Sequence, residues 1–254
     1  MNVLVCVKRV PMVGARINIT PDGRSVDTHQ LGFTISPHEE CAVEEAVRLV
    51  ETNGGAVTVL TLGPPEASEQ LRDAAAIGAH RLVHLVTDGA EVDPIATAHE
   101  ITSAVARLED DGPFDLILFG NEAPDTGDYQ VGVRVAVELG RACVSGVKGL
   151  DVGDGSVRAR REHRGGDEYL DLSTPCVVAV KEGINLPRYP SLPGRMRARK
   201  MVVDETPVAP RGGSLLVETL RTPVVERSRA EVLGTGPAAV PALVALFERL
   251  GVLS

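Results

Sequence analysis

The sequence contains no tryptophan and only 3% aromatic residues, so any core it builds must come from Val, Leu, Ile and Ala. Its four cysteines, Cys6, Cys41, Cys143 and Cys176, lie far apart, with no C-x-x-C pair and no Cys/His ligand spacing. That excludes a zinc module and a disulfide scaffold, and the thiols are expected as small core side chains. No apolar run reaches membrane-span length, which excludes an integral membrane protein. The opening apolar stretch meets Lys8 too soon for a signal segment, so the cytoplasm is the expected compartment. Positive charge is scarce too: 26 Lys and Arg stand against 35 Asp and Glu, a net charge of −9. Binding a phosphate backbone needs a basic face, so general nucleic-acid binding is excluded. One local exception exists. Arg188, Arg195, Arg197, Arg199 and Lys200 crowd a Pro-containing stretch, a surface suited to an acidic partner.

What is present is an alternation of buried strands and capped helices. Val3–Val7 is an apolar run of the kind buried on both faces of a parallel sheet. A breaking turn, Lys8–Gly14, and a hairpin excursion around Pro21-Asp-Gly23 follow. Ser36-Pro-His-Glu39 predicts a helix start, with Ser as N-cap, Pro in the first turn and Glu39 completing a capping box. The buried stripe of that helix is Cys41 or Ala42, Ala46, and Leu49 or Val50. Further strands are expected at Ala56–Gly63, Arg81–Leu85 and Leu116–Phe119, and further helices at Pro65–Ile77 and Asp93–Leu108.

The stretch from Phe114 to Gly140 organises the rest, reading as strand, loop and helix. Gly120–Asp128 supplies the residues that break regular structure, and Val131, Val135 and Leu139 share a helical face beginning near Gln130. The open N–H groups of that helix start, with the flexible Gly132 beside them, make a natural seat for an anion such as a nucleotide phosphate. Asp125 and Asp128 are expected as turn formers without catalytic or metal roles. In such sheets ligands bind outside the carboxyl ends of the strands. The loops after the first two strands, the 120–132 loop and the helix start at Ser36 therefore converge. Beyond Gly140 the pattern changes: Ser156–Glu162 and Glu168–Leu172 alternate as an antiparallel pair, and Pro175–Val180 returns to a buried strand. Met201–Val208 reads as a strand, Ala209–Gly213 as a linker, Thr222–Gly236 as extended, and Ala238–Leu250 as a helix.

These residues resemble the β subunit of electron transfer flavoprotein over nearly the whole chain. The likeness is carried by Val5-Cys-Val-Lys-Arg-Val10, Cys41-Ala-Val-Glu-Glu-Ala-Val-Arg-Leu49, and Gly63-Pro64 with Ala76-Ile-Gly-Ala79. More specific are Arg161-Glu-His-Arg-Gly-Gly166 followed by Thr174-Pro-Cys-Val-Val178, and the run from Ile184 to Lys200. The resemblance implies a doubly wound α/β fold of the adenine-nucleotide-binding type, with an antiparallel β addition and a C-terminal arm. It divides the chain into a nucleotide-binding domain, 1–208, including a partner-recognition loop, 184–200, and an arm, 209–254, packing on an α subunit.

The same resemblance implies an electron carrier that shares one FAD with that α subunit and passes electrons from donor dehydrogenases to a quinone-linked oxidoreductase. It assigns nucleotide binding to Cys6, Ser36, Pro37, His38, Glu39 and Leu62, and to Asp125, Gln130, Val131, Gly132, Val133 and Arg134. Docking falls to Leu192, Arg195 and Arg197. Some relatives hold a second FAD in place of AMP and split electron pairs. His38 stands where relatives often carry an aromatic residue, and the 124–132 loop matches neither common version, so the nucleotide is AMP or a second FAD. Two other classes compete: a free-standing nucleotide sensor of the universal-stress type, and an ATP-cleaving synthetase of related fold. Lys8-Arg-Val-Pro11 stands where the synthetase would carry its pyrophosphate loop, and the sensor has no need of the region beyond Gly140.

Overall fold

Strand β1, Asn2–Val7, runs through the middle of the sheet because nothing charged interrupts Val3–Val7, and all five of those residues are buried. The computed structural model describes residues 1–12, 14–89, 92–153, 155–210, 215–223 and 230–253. After β1 come four two-residue strands, β2 (Val10–Pro11), β3 (Asn18–Ile19), β4 (Val26–Asp27) and β5 (Phe33–Thr34). β2 pairs β5 and β3 pairs β4, both antiparallel, which is the expected hairpin excursion. Helix α1, Pro37–Asn53, starts on the full capping box: the Ser36 hydroxyl accepts from Glu39 N–H and the Glu39 carboxylate accepts from Ser36 N–H. It buries Cys41, Ala42, Ala46, Leu49 and Val50, the expected stripe.

The parallel units follow in order: β6 (Ala56–Gly63), α2 (Ser68–Ile77), β7 (Arg81–Val86), α3 (Pro94–Leu108), β8 (Leu116–Gly120) and α4 (Val131–Glu138). Then come β9 (Ala142–Gly153), β10 (Ser156–His163), β11 (Gly166–Ser173), β12 (Cys176–Val180), α5 (Leu192–Lys200) and β13 (Val203–Pro207). The main sheet has the order β11-β10-β9-β12-β8-β1-β6-β7-β13. From β9 to β13 neighbouring strands run parallel, while β10 and β11 are antiparallel additions. Alternation along the strands sends Val3, Val5 and Val7 to one face, packed with α1 and α2. Leu4 and Cys6 face the other way, packed with α3 and α4. Helices on both faces make the sheet doubly wound, and the order reverses at β1, with β6 on one side and β8 on the other.

The expected antiparallel pair is present as β10 and β11, and Ala142–Gly153, not expected as a strand, joins it as a third antiparallel neighbour. One expectation is corrected. The run from Leu192, expected as loop, is helix α5, with the Ser191 hydroxyl accepting from Gly194 N–H and Pro193 in its first turn.

Met1–Glu218 forms one compact unit and Thr219–Ser254 a second. The second unit contains α6, Val240–Arg249, which buries none of its residues. Residues 211–214 of the expected linker and 224–229 of the expected extended stretch lie outside the described residues.

Candidate functional site

The crevice opens where strand order reverses, at the carboxyl ends of β1 and β8. Glu39 sits at its base. One carboxylate oxygen accepts from Lys8 N–H at 2.9 Å and the other from Ser36 N–H at 3.0 Å, so a single buried side chain joins the end of β1 to the start of α1. From the β8 side Gly120 closes against it: a Cβ there would lie 2.7 Å from Glu39 Cγ and 3.3 Å from His38 Cβ. Burial pushes the Glu39 carboxyl up to about 7, against the two N–H donors and the Lys8 charge, which pull it down.

His38 continues the same wall. Its Nδ1 accepts from Glu182 N–H at 2.9 Å, so the ring proton resides on Nε2, which faces Glu122 Oε1 at 3.1 Å. The imidazole thus ties α1 to the loops after β8 and β12. Across the mouth, Lys8 Nζ meets Asp125 Oδ2 at 2.6 Å. Asp125 is therefore spent on a cation of this chain, beyond its expected turn role.

At Tyr129 the backbone takes φ 56, a left-handed turn that re-aims the chain into α4. No side chain caps α4: the Gln130 oxygen instead accepts from Arg134 Nε at 3.1 Å and from its Nη2 at 2.8 Å. Among the described residues no carboxylate lies within ion-pair distance of Arg134. An uncapped helix start with an uncompensated guanidinium on its first turn is a donor set suited to an anion. Gly132 has a packing part beside the one expected: a Cβ on it would lie 3.1 Å from Phe119 Cγ, so the glycine lets α4 press onto β8.

The remaining predicted residues divide. Ser36 is fully buried in the cap and Pro37 is half-buried at the first position of α1. Cys6 is buried on the α3/α4 face, and burial with nearby Glu39 pushes its thiol far up, so it is an unreactive wall. Leu62 and Val131 pack against the same apolar cluster, whereas Val133 is exposed. Reading the residues alone missed Lys8, Gly120 and Glu122. The signal for Gly120 was its place as the last residue of a buried strand facing a capped helix. Two hollows, of about 510 Å³ at the β10–β11 turn and about 390 Å³ beside Ala15–Leu31, lie elsewhere and contain none of these residues.

Far from the crevice in sequence, Leu192 opens α5 and is 73% exposed. Arg197 is tied down, its Nη2 donating to Ala75 O at 2.9 Å at the end of α2, while Arg195, Arg199 and Lys200 are exposed.

Glu39 carries a pH prediction. Between its ordinary 4.5 and about 7 the folded chain keeps a proton that the unfolded chain has released. Its contribution to stability is thus complete below the lower value and lost as pH rises through the upper one. Glu39→Gln has one acceptor for two N–H donors and should cost about 1–3 kcal/mol. It should also abolish the titration, so wild type loses ground to the variant as pH rises across this window, and the gap then stays level. Urea midpoints of both proteins across the window check this. A gap that is flat, or that widens in favour of wild type, overturns it.

A doubly wound α/β sheet with an anion-suited crevice at its switch point defines the class of protein. The comparisons then narrow it. A family model described as the electron transfer flavoprotein domain matches residues 24–211. The electron transfer flavoprotein subunit beta of Bacillus subtilis (strain 168) is 34% identical over 207 residues, covering 81% of this chain and 78% of the relative. The protein of the same description from Bradyrhizobium diazoefficiens is 36% identical over 227 residues, covering 87% and 88%. Protein FixA of that organism is 30% identical over 261 aligned residues, covering 96% and 90%. The chain belongs to the electron transfer flavoprotein β-subunit family. No described helix is long and apolar enough to cross a membrane.

Proposed function

We propose that this chain is the β half of a cytoplasmic electron-carrying heterodimer, sharing one FAD with an α subunit and seating an adenine nucleotide of its own, AMP or a second FAD. What carries this reading is the incompleteness of the chain as a flavin site. The crevice is rimmed by exposed Asp125, Tyr129 and Val133, so a flavin ring resting there needs a second wall. In the second unit, α6 leaves Val240, Leu243 and Val244 exposed, an apolar face that gains by packing on another chain. We assign that packing to the arm, 209–254, and the nucleotide to the domain 1–208.

The residues present fit the phosphate of such a nucleotide. The N–H groups of Val131, Gly132 and Val133 and the Arg134 guanidinium would hold it. Ser36, Pro37, His38, Glu39, Cys6 and Leu62 would form the walls. Dipole attraction at a helix start is worth only about 0.3–1 kcal/mol, so hydrogen bonds and the guanidinium supply most of the affinity. When bound, FAD supplies the redox chemistry by taking up and releasing electrons. The chain's own residues hold, orient and shield. Leu192 with Arg195 would meet donor dehydrogenases and the quinone-linked acceptor, and Arg197 would act through the α2 end it fastens.

Co-purification with the α subunit, followed by acid release of bound compounds, tests the reading. The heterodimer should yield FAD and an adenine nucleotide, while this chain alone should keep little flavin. A stable monomer that retains FAD by itself overturns the shared site. Release of no AMP, FAD or related compound overturns the nucleotide seat.

A further inference from the structure

Tyr129, at the rim of the crevice, holds a conformation that its side chain does not favour. Its φ of 56 belongs to the left-handed region, where glycine, asparagine and aspartate are at home and a bulky ring is not. Two residues earlier the chain turns left-handed in the ordinary way, with Gly127 at φ 61. No bond within the chain explains the ring. Its hydroxyl has no hydrogen-bond partner among the described residues, and the residue is 59% exposed. Backbone strain of this kind gathers at binding sites, where contact with a ligand offsets it.

The turn has a second effect. Tyr129 is left-handed and Gln130, at φ −109 and ψ −36, is right-handed, a succession that aims consecutive N–H groups into one concavity. From Tyr129 to Val133 no backbone N–H is bonded among the described residues. The open donors therefore run outward from the first turn of α4, where one phosphate would sit, to the rim, where Tyr129 stands. Asp125 in the same loop does not oppose an anion there, because Lys8 offsets it at 2.6 Å. AMP ends at its phosphate and would leave the outer donors and the ring in water. A dinucleotide continues through a second phosphate to another ring system, and an exposed aromatic gains by stacking on one.

We propose that Tyr129 sets the specificity of the nucleotide seat: its backbone opens donors for a second phosphate and its ring meets the ring that follows, so the seat takes FAD in preference to AMP. This rests on the nucleotide seat proposed above and decides between its two candidates. Val131, Gly132, Val133 and Arg134 hold the phosphate that either nucleotide carries, while Tyr129 acts on the part that AMP lacks. Removing the ring while keeping the left-handed turn therefore lowers the affinity for FAD alone.

The test uses the heterodimer with its α subunit, dialysed against mixtures of FAD and AMP and then acid-released so that both are counted. Wild type should carry FAD at this seat in addition to the shared one, with AMP displacing it only in excess. Tyr129→Gly keeps the turn without strain and should shift the exchange ratio about tenfold toward AMP, the value of one aromatic contact. Tyr129→Phe keeps the ring and should stay within about twofold of wild type. The shared FAD should be retained in both variants. The urea midpoint of Tyr129→Gly should be no lower than wild type, because relief of strain offsets the freer unfolded chain. Wild type that takes AMP from an equal mixture overturns the proposal and leaves the seat standing. So does a Tyr129→Gly that loses FAD and AMP alike, or that unfolds at lower urea. If wild type binds neither beyond the shared FAD, the seat falls and the proposal with it.

Discussion

Gly120→Ala should destabilise the protein and loosen the start of α1, although glycine-to-alanine changes elsewhere often stabilise. The usual gain, from a less flexible unfolded chain, is about 0.4–1 kcal/mol. Here the added Cβ would sit 2.7 Å from Glu39 Cγ and 3.3 Å from its backbone nitrogen. Glu39 cannot swing aside freely, since both its oxygens are held by backbone donors. Overpacking of this kind costs about 1–3 kcal/mol, so the overlap outweighs the entropy gain. The variant should unfold at lower urea, and displacing Glu39 should also weaken its titration signature. A midpoint equal to or above wild type would show that α1 can shift without loss.

Arg188→Met should cost more, about 3 kcal/mol, because it leaves the carboxylate of Glu44, 3% exposed, without its main cation. Methionine keeps most of the apolar stem, so the loss reads the charge and not the packing. Arg48 still lies 3.4 Å from Glu44 and is itself half-exposed, which holds the cost to the lower end of the range for broken buried pairs. Adding Glu44→Gln to Arg188→Met should recover part of the loss, because the uncompensated charge is then gone. Equilibrium unfolding of the two single variants and the double variant closes the cycle. Strict additivity, or a change within about 0.5 kcal/mol for Arg188→Met, would mean that the segment before α5 is held without this pair.

Much of the fold could be read from residue pattern because the central strands are buried on both faces and the helices announce their starts. Ser36, Pro37 and Glu39 wrote the start of α1 in three letters, and Asp93 likewise caps α3. β9 escaped because Gly146 and Gly149 interrupt it, it bulges against its neighbours, and most of its residues are half-buried or exposed. α5 escaped for a related reason. It buries only Ala198, so it has no apolar stripe, and the prolines preceding it suggested loop. At the crevice the backbone-borne parts were legible, since strand ends and helix starts follow from topology. The cross-element contacts were not: the opposition of Lys8 and Asp125, or of Gly120 and Glu39, depends on how three strands line up. Gly132 shows the limit most clearly, because flexibility and close packing ask for the same residue.

The sharing of Glu39 between Lys8 and Ser36, with Gly120 pressed against its side, has a consequence for how the crevice moves. Amide hydrogens at strand and helix ends ordinarily exchange with solvent by local fraying. Here fraying at either end carries an added cost, since releasing Lys8 N–H or Ser36 N–H leaves one oxygen of a buried side chain without its donor. Both amides should therefore exchange more slowly than the strand-end and helix-end amides around them, and both should speed up when Gly120→Ala displaces Glu39.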